Sequence, residues 1–318
     1  MSIISNDIHK AVEILNNEDV VAIPTETVYG LAGNIYSDKA ISKLFEVKQR
    51  PLFNPLIVHL HSIEQLDEIV NEMPAKAKLL ADAFWPGSLT LILKKKSKVP
   101  NLITAGKDTV AVRIPNHPVT LKLLKQLSFP LAAPSANPFN RISPTNALHV
   151  ESYFKNTIPM VLEGGDCMNG LESTIIGFEN NEPVLYRLGS ISIEEIENVV
   201  GIIDVKNNQE KAPNAPGMLA KHYSPKTKTY LTNDIEKILT DYQDRTIGLL
   251  SFSEAITAPN IKHVEILSKS GDLKEAASKL YWALHLLDNL NLDMIVAQRF
   301  PDVGLGKSIN DRLERATK

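Results

Sequence analysis

The chain is expected to fold as an α/β protein, a twisted mixed-sheet domain followed by a smaller, Rossmann-like parallel-sheet domain. Three features predict this. Short apolar runs alternate with amphipathic stretches through roughly the first two thirds of the chain. A polar segment, Lys206-Asn207-Asn208-Gln209-Glu210-Lys211, then gives way to Pro213, Pro216 and Pro225, the mark of a proline-stiffened linker. Beyond it, strand and helix patterns resume in a shorter array. A length of 318 residues favours two cores over one, placed at 1–205 and 229–318 with a linker over 206–228.

The elements follow in order. Residues 20–23 read as a strand that ends at Pro24. Ser37 can cap a helix whose apolar stripe is Ala40, Ile41, Leu44 and Phe45, closing near Lys48. Residues 56–60 read as a strand, and Ser62 with Gln65 forms a capping box ahead of Leu66, Ile69 and Val70. A helix from about Pro74 stops at Phe84-Trp85-Pro86-Gly87. Strands are expected over 88–94, 109–114, 131–133, 159–162, 174–178 and 184–186, and Ser192 with Glu195 opens another capped helix. In the second array, strands over 229–231, 247–251, 264–267 and 294–297 accompany a long amphipathic helix from Leu273 to about Leu290 and a closing helix.

Composition excludes several classes. Hydrophobic residues at 43% and charged residues at 22% describe a soluble globular protein. A net charge of −3 does not suit a surface wholly given to nucleic acid. A single cysteine, Cys167, excludes an internal disulfide framework and a cysteine-based zinc site, and fits a reducing compartment. The start, MSIISNDIHK, lacks the apolar core of a signal peptide, and no apolar run approaches a membrane span. A cytoplasmic protein without membrane attachment is expected.

The chemistry concentrates in the first array. Strand 20–23 runs into Pro24-Thr25-Glu26-Thr27-Val28-Tyr29-Gly30-Leu31, followed by Lys48-Gln49-Arg50-Pro51 and Asn54-Pro55-Leu56-Ile57-Val58-His59. Polar groups at strand ends serve bound molecules more readily than a packed core, where they would be penalised. Arg113 on strand 109–114 and Arg187 at the end of strand 184–186 add guanidinium forks that match phosphate or carboxylate oxygens. Salt bridges to nearby carboxylates are the competing account of each arginine alone; several at element ends in one domain point to a polyanion. Pro134-Ser135-Ala136-Asn137-Pro138 and Arg141-Ile142-Ser143-Pro144 present hydroxyl and amide groups on loops fixed by proline, although Ser143 could simply cap a helix begun by Pro144. Ser173, after Glu172, enters a strand behind the turn at Gly164-Gly165.

Other patterns carry less. Gly304-Leu305-Gly306-Lys307-Ser308 resembles half a phosphate loop, but Pro301 stands where the first glycine belongs and Ile309 spoils the dinucleotide fingerprint. It is read as a turn leading into a helix. His59 and His61 share a strand face, yet lack the further ligands a zinc site needs. Lys94-Lys95-Lys96 is read as a solvated turn, with weak RNA contact as its alternative.

Taken in order, PTETVYGL, KQRP with NPLIVH, WPGSLT, VAVRIP, PSAN, STI and the strand-end Arg187 resemble the threonylcarbamoyl-AMP synthase family, with its YrdC-like fold. The resemblance spans essentially the whole first domain. Ala215-Pro216-Gly217-Met218, Lys221-His222-Tyr223-Ser224-Pro225 and Asn310-Asp311-Arg312-Leu313 extend it to the long, two-domain form, while Leu188 stands where the family commonly has proline. The family's reaction joins L-threonine, bicarbonate or carbon dioxide, and ATP into L-threonylcarbamoyladenylate and pyrophosphate, for modification of tRNA beside the anticodon. The resemblance implies that Thr25, His59, Arg113 and Ser173 surround threonine. It implies an ATP side of Lys48, Arg50, Asn54, Thr109, Ser135, Asn137, Ser143, Arg187 and Tyr223. Mg²⁺ would accompany ATP, held mainly by phosphates, and a partner protein would carry the threonylcarbamoyl group on to tRNA. His222 and Tyr223 are expected to close over the cleft.

That reaction brings two anions together, so charge neutralisation and alignment carry the burden, and no general base stands out. Two other functions compete: a double-stranded-RNA-binding module, and a carbamoyl-phosphate-dependent transferase on the same fold.

Overall fold

The computed structural model describes residues 3–206 and 223–318. An 11-stranded mixed sheet organises the first part, with Ile57–His59, Thr109–Arg113, Leu89–Lys94, Thr174–Glu179 and Glu182–Arg187 adjacent in that order. Alternation of side chains across these strands makes two different faces. One face buries Val58, Leu91, Val110, Val112, Ile176 and Leu185 beneath the helices Asp38–Lys48, Ala75–Phe84 and Ile193–Val200. On the other, Ile57, Ala111 and Ile175 form only a small apolar cluster, flanked by Ile92 and Tyr186. That thinly covered face is where the polar residues gather.

Local chemistry explains most element ends. Ser37 accepts the Ala40 N–H at the start of its helix, and Gln49 closes that helix in the left-handed region. Ser192 and Glu195 satisfy each other's backbone N–H groups in a complete capping box. The capping box expected at Ser62 does not form. Gln65 instead accepts the His61 N–H, and a 3-10 turn, Ile63–Gln65, precedes the short helix Leu66–Ile69. Ser143 is no helix cap either: Asn146 caps Ala147–Phe154, and the Ser143 hydroxyl turns to Glu172. The strand Gly30–Asn34 went unseen because its two glycines mask β propensity; pairing with Val21–Ile23 and Leu131–Ala132 holds it extended.

The second part is a 4-stranded parallel sheet in the order Thr229–Thr232, Met294–Gln298, Ile247–Ser251, Ile261–Ile266. Helices Leu273–Asp288 and Leu305–Ala316 pack on it, and their apolar core extends to Val28, Ile142 and Leu171 of the first part. The phosphate-loop look-alike is structural. Gly306 lacks a Cβ because one would meet the Pro301 carbonyl oxygen at 1.9 Å, Lys307 pairs with Glu194, and the Ser308 hydroxyl donates to Gly189.

Polar contacts also join the parts. Arg141 pairs with Asp288 at 3.1 Å, and His285 bonds the Ser143 carbonyl while stacking on His149 at 3.8 Å. Burial, then neighbouring His149, presses His285 down to about 3. A histidine depressed on folding contributes stability that is complete above its unfolded value near 6.5 and lost as pH falls toward its folded one. The thermal stability advantage of the wild-type chain over His285→Asn should therefore shrink between pH 7 and pH 4. Melting curves across that range check it; a constant gap would contradict the linkage.

Candidate active site

The strand Val21–Ile23 delivers Pro24 and a tight polar loop to the open sheet face. Thr25 Oγ1 donates to the Val28 carbonyl at 2.7 Å and accepts the N–H groups of Thr27 and Val28. Its proton thus used, it receives the Thr27 hydroxyl at 2.8 Å, and Thr27 accepts from Arg113 Nη1 at 2.9 Å. Arg113 is braced further by the Gly87 carbonyl and by Glu26, 2.7 Å away, in an ion pair with both side chains about 95% buried. The loop is therefore a scaffold that aims one guanidinium.

His59 lies beside Arg113, on the neighbouring parallel strand and in register with it. Its Nδ1 sits 3.2 Å from the Ile57 carbonyl, which can only accept, so the proton belongs there and Nε2 is left as an acceptor. Burial first, then Arg113, lowers the imidazole to about 3, so it is neutral. Next along the wall, Arg187 donates to both the carbonyl and the hydroxyl of Ser173, and the Ser173 hydroxyl shares a 2.7 Å hydrogen bond with Thr90. Gly189 is obligatory behind it: a Cβ there would lie 2.4 Å from the backbone of Ser173 and Thr174.

Arg50, just past the helix Asp38–Lys48, turns inward on the carbonyls of Asn54 and Pro55. Burial, then the charge of Arg187, presses Arg50 from its ordinary value to about 9. Burial likewise lowers Arg187, and Tyr223 and Glu172 offset this only in part. Two guanidiniums that repel one another in a dry wall favour an anion between them.

One cavity collects these groups. Thr25, His59, Arg113 and Ser173 line it together with Arg50, Ser135, Arg187 and Tyr223. The remaining sequence-predicted residues stand elsewhere. Lys48 is buried behind the wall, donating to the Ser135 and Asn137 carbonyls, and burial, then Arg50, holds its ammonium well below the usual range. Asn137 spends its amide on Pro138 and Arg141, and Ser143 spends its hydroxyl on Glu172. Asn54 is fully buried, and its side-chain amide makes no hydrogen bond to any of the described residues. Thr109 lies in an adjoining open cleft with Ile92, Gly177 and Tyr186, on the same sheet face as Ala111 and Arg113. His222 falls outside the described residues.

Comparison with known proteins places the chain in a family. A family model described as telomere recombination matches residues 13–189, and one described as threonylcarbamoyl-AMP synthase, C-terminal domain, matches residues 191–317. A Bacillus subtilis protein named threonylcarbamoyl-AMP synthase is 39% identical, covering 97% of this chain and 92% of its own length. One of that name from Pyrococcus abyssi is 38% identical over 94% of this chain. The chain belongs to the threonylcarbamoyl-AMP synthase family. The solved structure of P. abyssi Sua5 complexed with L-threonine superposes with a TM-score of 0.91 at 37% identity, covering 98% of this chain and 94% of that one. Escherichia coli YciO, at 23% identity and a TM-score of 0.53, shares the fold of the first part.

The cavity also gathers residues that sequence reasoning had not placed in the site. Glu172 lines the cavity, yet its carboxylate is saturated by Ser143 at 2.6 Å, Tyr281 at 2.9 Å and Arg312 at 2.9 Å. Glu26 and Thr27 sit inside the first motif but read as loop residues, because only the folded loop brings Arg113 to them. Nothing local marked Tyr281, which lies one turn before His285 on an ordinary amphipathic helix.

The Glu26–Arg113 pair gives a direct test. Glu26→Ala strands a buried guanidinium and should cost about 3–5 kcal/mol in urea unfolding. A loss below about 1 kcal/mol, the scale of an exposed ion pair, would show that the bracing is idle.

Proposed function

We infer that this chain condenses L-threonine, bicarbonate or carbon dioxide, and ATP into L-threonylcarbamoyladenylate and pyrophosphate, the activated group for threonylcarbamoyladenosine in tRNA. The observation that carries this reading is the single cavity whose walls hold Arg50, Arg113 and Arg187 with a neutral His59.

Threonine takes the Arg113 end. A guanidinium carries more N–H groups than Gly87, Thr27 and Glu26 use, so Arg113 keeps donors for the amino-acid carboxylate. His59 Nε2 accepts from the substrate amine or hydroxyl, and the Ser173 hydroxyl borders the same space. Thr25 shapes this end through its backbone and fold, its hydroxyl being spent on Val28. The triphosphate takes the Arg50–Arg187 end, with Ser135 and Tyr223 beside it. The nucleoside lies along the apolar strip of Ile57, Ala111 and Ile175 toward Thr109, since that strip joins the cavity to the second cleft on one sheet face. Lys48 and Asn137 support this end by holding the Ser135 loop. They are not placed to touch phosphate directly.

The chemistry follows. The unprotonated threonine amine attacks carbon dioxide and gives up one proton to water, leaving a carbamate whose oxygen attacks the α-phosphorus as pyrophosphate leaves. The arginines lower the repulsion between carbamate and triphosphate and fix their approach, which is where the rate gain lies. Mg²⁺ fits as a companion of ATP bound by phosphates and water. Glu172, which lines the cavity, and Glu26, which pairs with Arg113, are both already paired with arginines, and no group of three or more metal-ligating side chains occurs among the described residues. A protein that passes the threonylcarbamoyl group to tRNA would consume the product, and the cytoplasm, where ATP and tRNA meet, would be its site. Among the described residues, no helix is long and apolar enough to cross a membrane. The double-stranded-RNA reading has no support, because these cations are enclosed rather than displayed along a surface.

Pyrophosphate release from ATP should require both threonine and bicarbonate, each omitted in turn. Arg50→Ala should weaken ATP binding by roughly ten- to hundredfold, the worth of charged hydrogen bonds, while calorimetry finds threonine affinity within about twofold. Equal loss of both ligands would contradict the division of the cavity.

A further inference from the structure

Two side chains of the C-terminal part, Tyr281 and Arg312, meet the cavity wall at Glu172. Arg312, on the helix Leu305–Ala316, is completely buried and touches three pieces of the wall at once. Its Nε donates to Glu172 at 2.9 Å, its Nη2 donates to the Leu188 carbonyl at 2.6 Å, and its guanidinium lies over the Tyr223 ring at 4.9 Å. Leu188 follows Arg187, Glu172 precedes Ser173, and Tyr223 lines the cavity itself. Tyr223 holds a left-handed backbone, φ 64°, which a bulky residue adopts only when its surroundings enforce it; the second enforcing contact is Tyr281, ring centroids 5.6 Å away.

The electrostatics point the same way. A bare carboxylate in the wall of a triphosphate site would repel its ligand. Burial alone would raise the Glu172 carboxyl, but Arg312, Arg187 and then Ser143 hold it below its usual range. Glu172 is therefore an anion that must be cancelled, and Arg312 is the cation that cancels it from behind. With Glu172 paired to Arg312, its charge weighs less against Arg187 and Arg50.

Building on the functional reading above, we propose that Arg312 is a positioning residue for the ATP end of the site, acting through Glu172, the Leu188 carbonyl and the Tyr223 ring. The C-terminal part is then a component of nucleotide binding, independent of anything that closes over the cleft. Its fork geometry matters as well as its charge, because one guanidinium serves two carboxylates, Glu172 and Asp311, and the Leu188 carbonyl in different directions.

Calorimetry with ATP alone and with threonine alone tests this on the full chain, using variants whose melting curves show a folded protein. Arg312→Met should weaken ATP binding about tenfold or more, since it strands Glu172 in the wall, and leave threonine affinity within about twofold. Arg312→Lys should recover only part of the loss. Adding Glu172→Gln to Arg312→Met should restore most of it, because the stranded charge is gone. Wild-type ATP affinity in Arg312→Met, parallel loss of both ligands, or no recovery in the double variant would each overturn the proposal. If Arg312→Met does not fold, Arg312→Lys is read by the same split between ligands. ATP binding by the wild-type chain without threonine-dependent pyrophosphate release would defeat the assigned reaction while leaving this proposal intact.

Discussion

Several guanidinium groups are buried around one cavity, and the architecture follows from keeping them there charged. A buried cation is costly unless paired, yet a cation fully neutralised by its own carboxylate has little left for a ligand. The structure grades its answer by position. Arg113 receives a true counterion, Glu26, plus a carbonyl and a hydroxyl. Arg50 is given carbonyl oxygens, which orient it without cancelling its charge. Arg187 rests on Ser173 and feels Glu172 at a distance, because Arg312 already claims that carboxylate. Under the proposed function, the Arg113 end faces a single carboxylate and the Arg50–Arg187 end a triphosphate.

The fold supplies the means. Parallel pairing of Ile57–His59 with Thr109–Arg113 sets His59 against Arg113 in register. On the strand Glu182–Arg187 a register shift between Leu185 and Arg187 lets consecutive residues Tyr186 and Arg187 both serve the open face, where strict alternation would have turned one of them into the core. Close backbone contact at Gly189 then ties this strand end to Ser173. The second part locks the assembly from outside with Ser308 on Gly189, His285 on Ser143 and Arg312 on Leu188. The geometry of the cavity in the first part is thus inseparable from packing of the second.

Much of this was legible in the chain. Thr25, Arg50, His59, Arg113, Ser135, Ser173, Arg187 and Tyr223 were singled out as candidates from the motifs, and all line one cavity. Others were selected for the right chemistry but put to work one layer back: Lys48 holds the Ser135 loop, Ser143 holds Glu172, and Asn137 holds Arg141. A cation or hydroxyl beside a motif carries no label saying whether it faces ligand or carbonyl. The Ser62–Gln65 pattern failed for a similar reason, since Gln65 accepts from the His61 N–H instead of closing a box at Ser62.

What the sequence determined by itself was everything set by local chemistry and period: the alternation that makes strands, the capped helices at Ser37 and Ser192, and the polar residue types stationed at strand ends. Tertiary structure decided which of those residues share a surface and with what charge. Glu172 is the clearest case. In the chain it is an acid before a serine; in the folded protein Ser143, Tyr281 and Arg312 converge on it from segments up to 140 residues apart. Such meetings depend on strand order and on the packing of two cores against each other, and neither is written in any short stretch of residues.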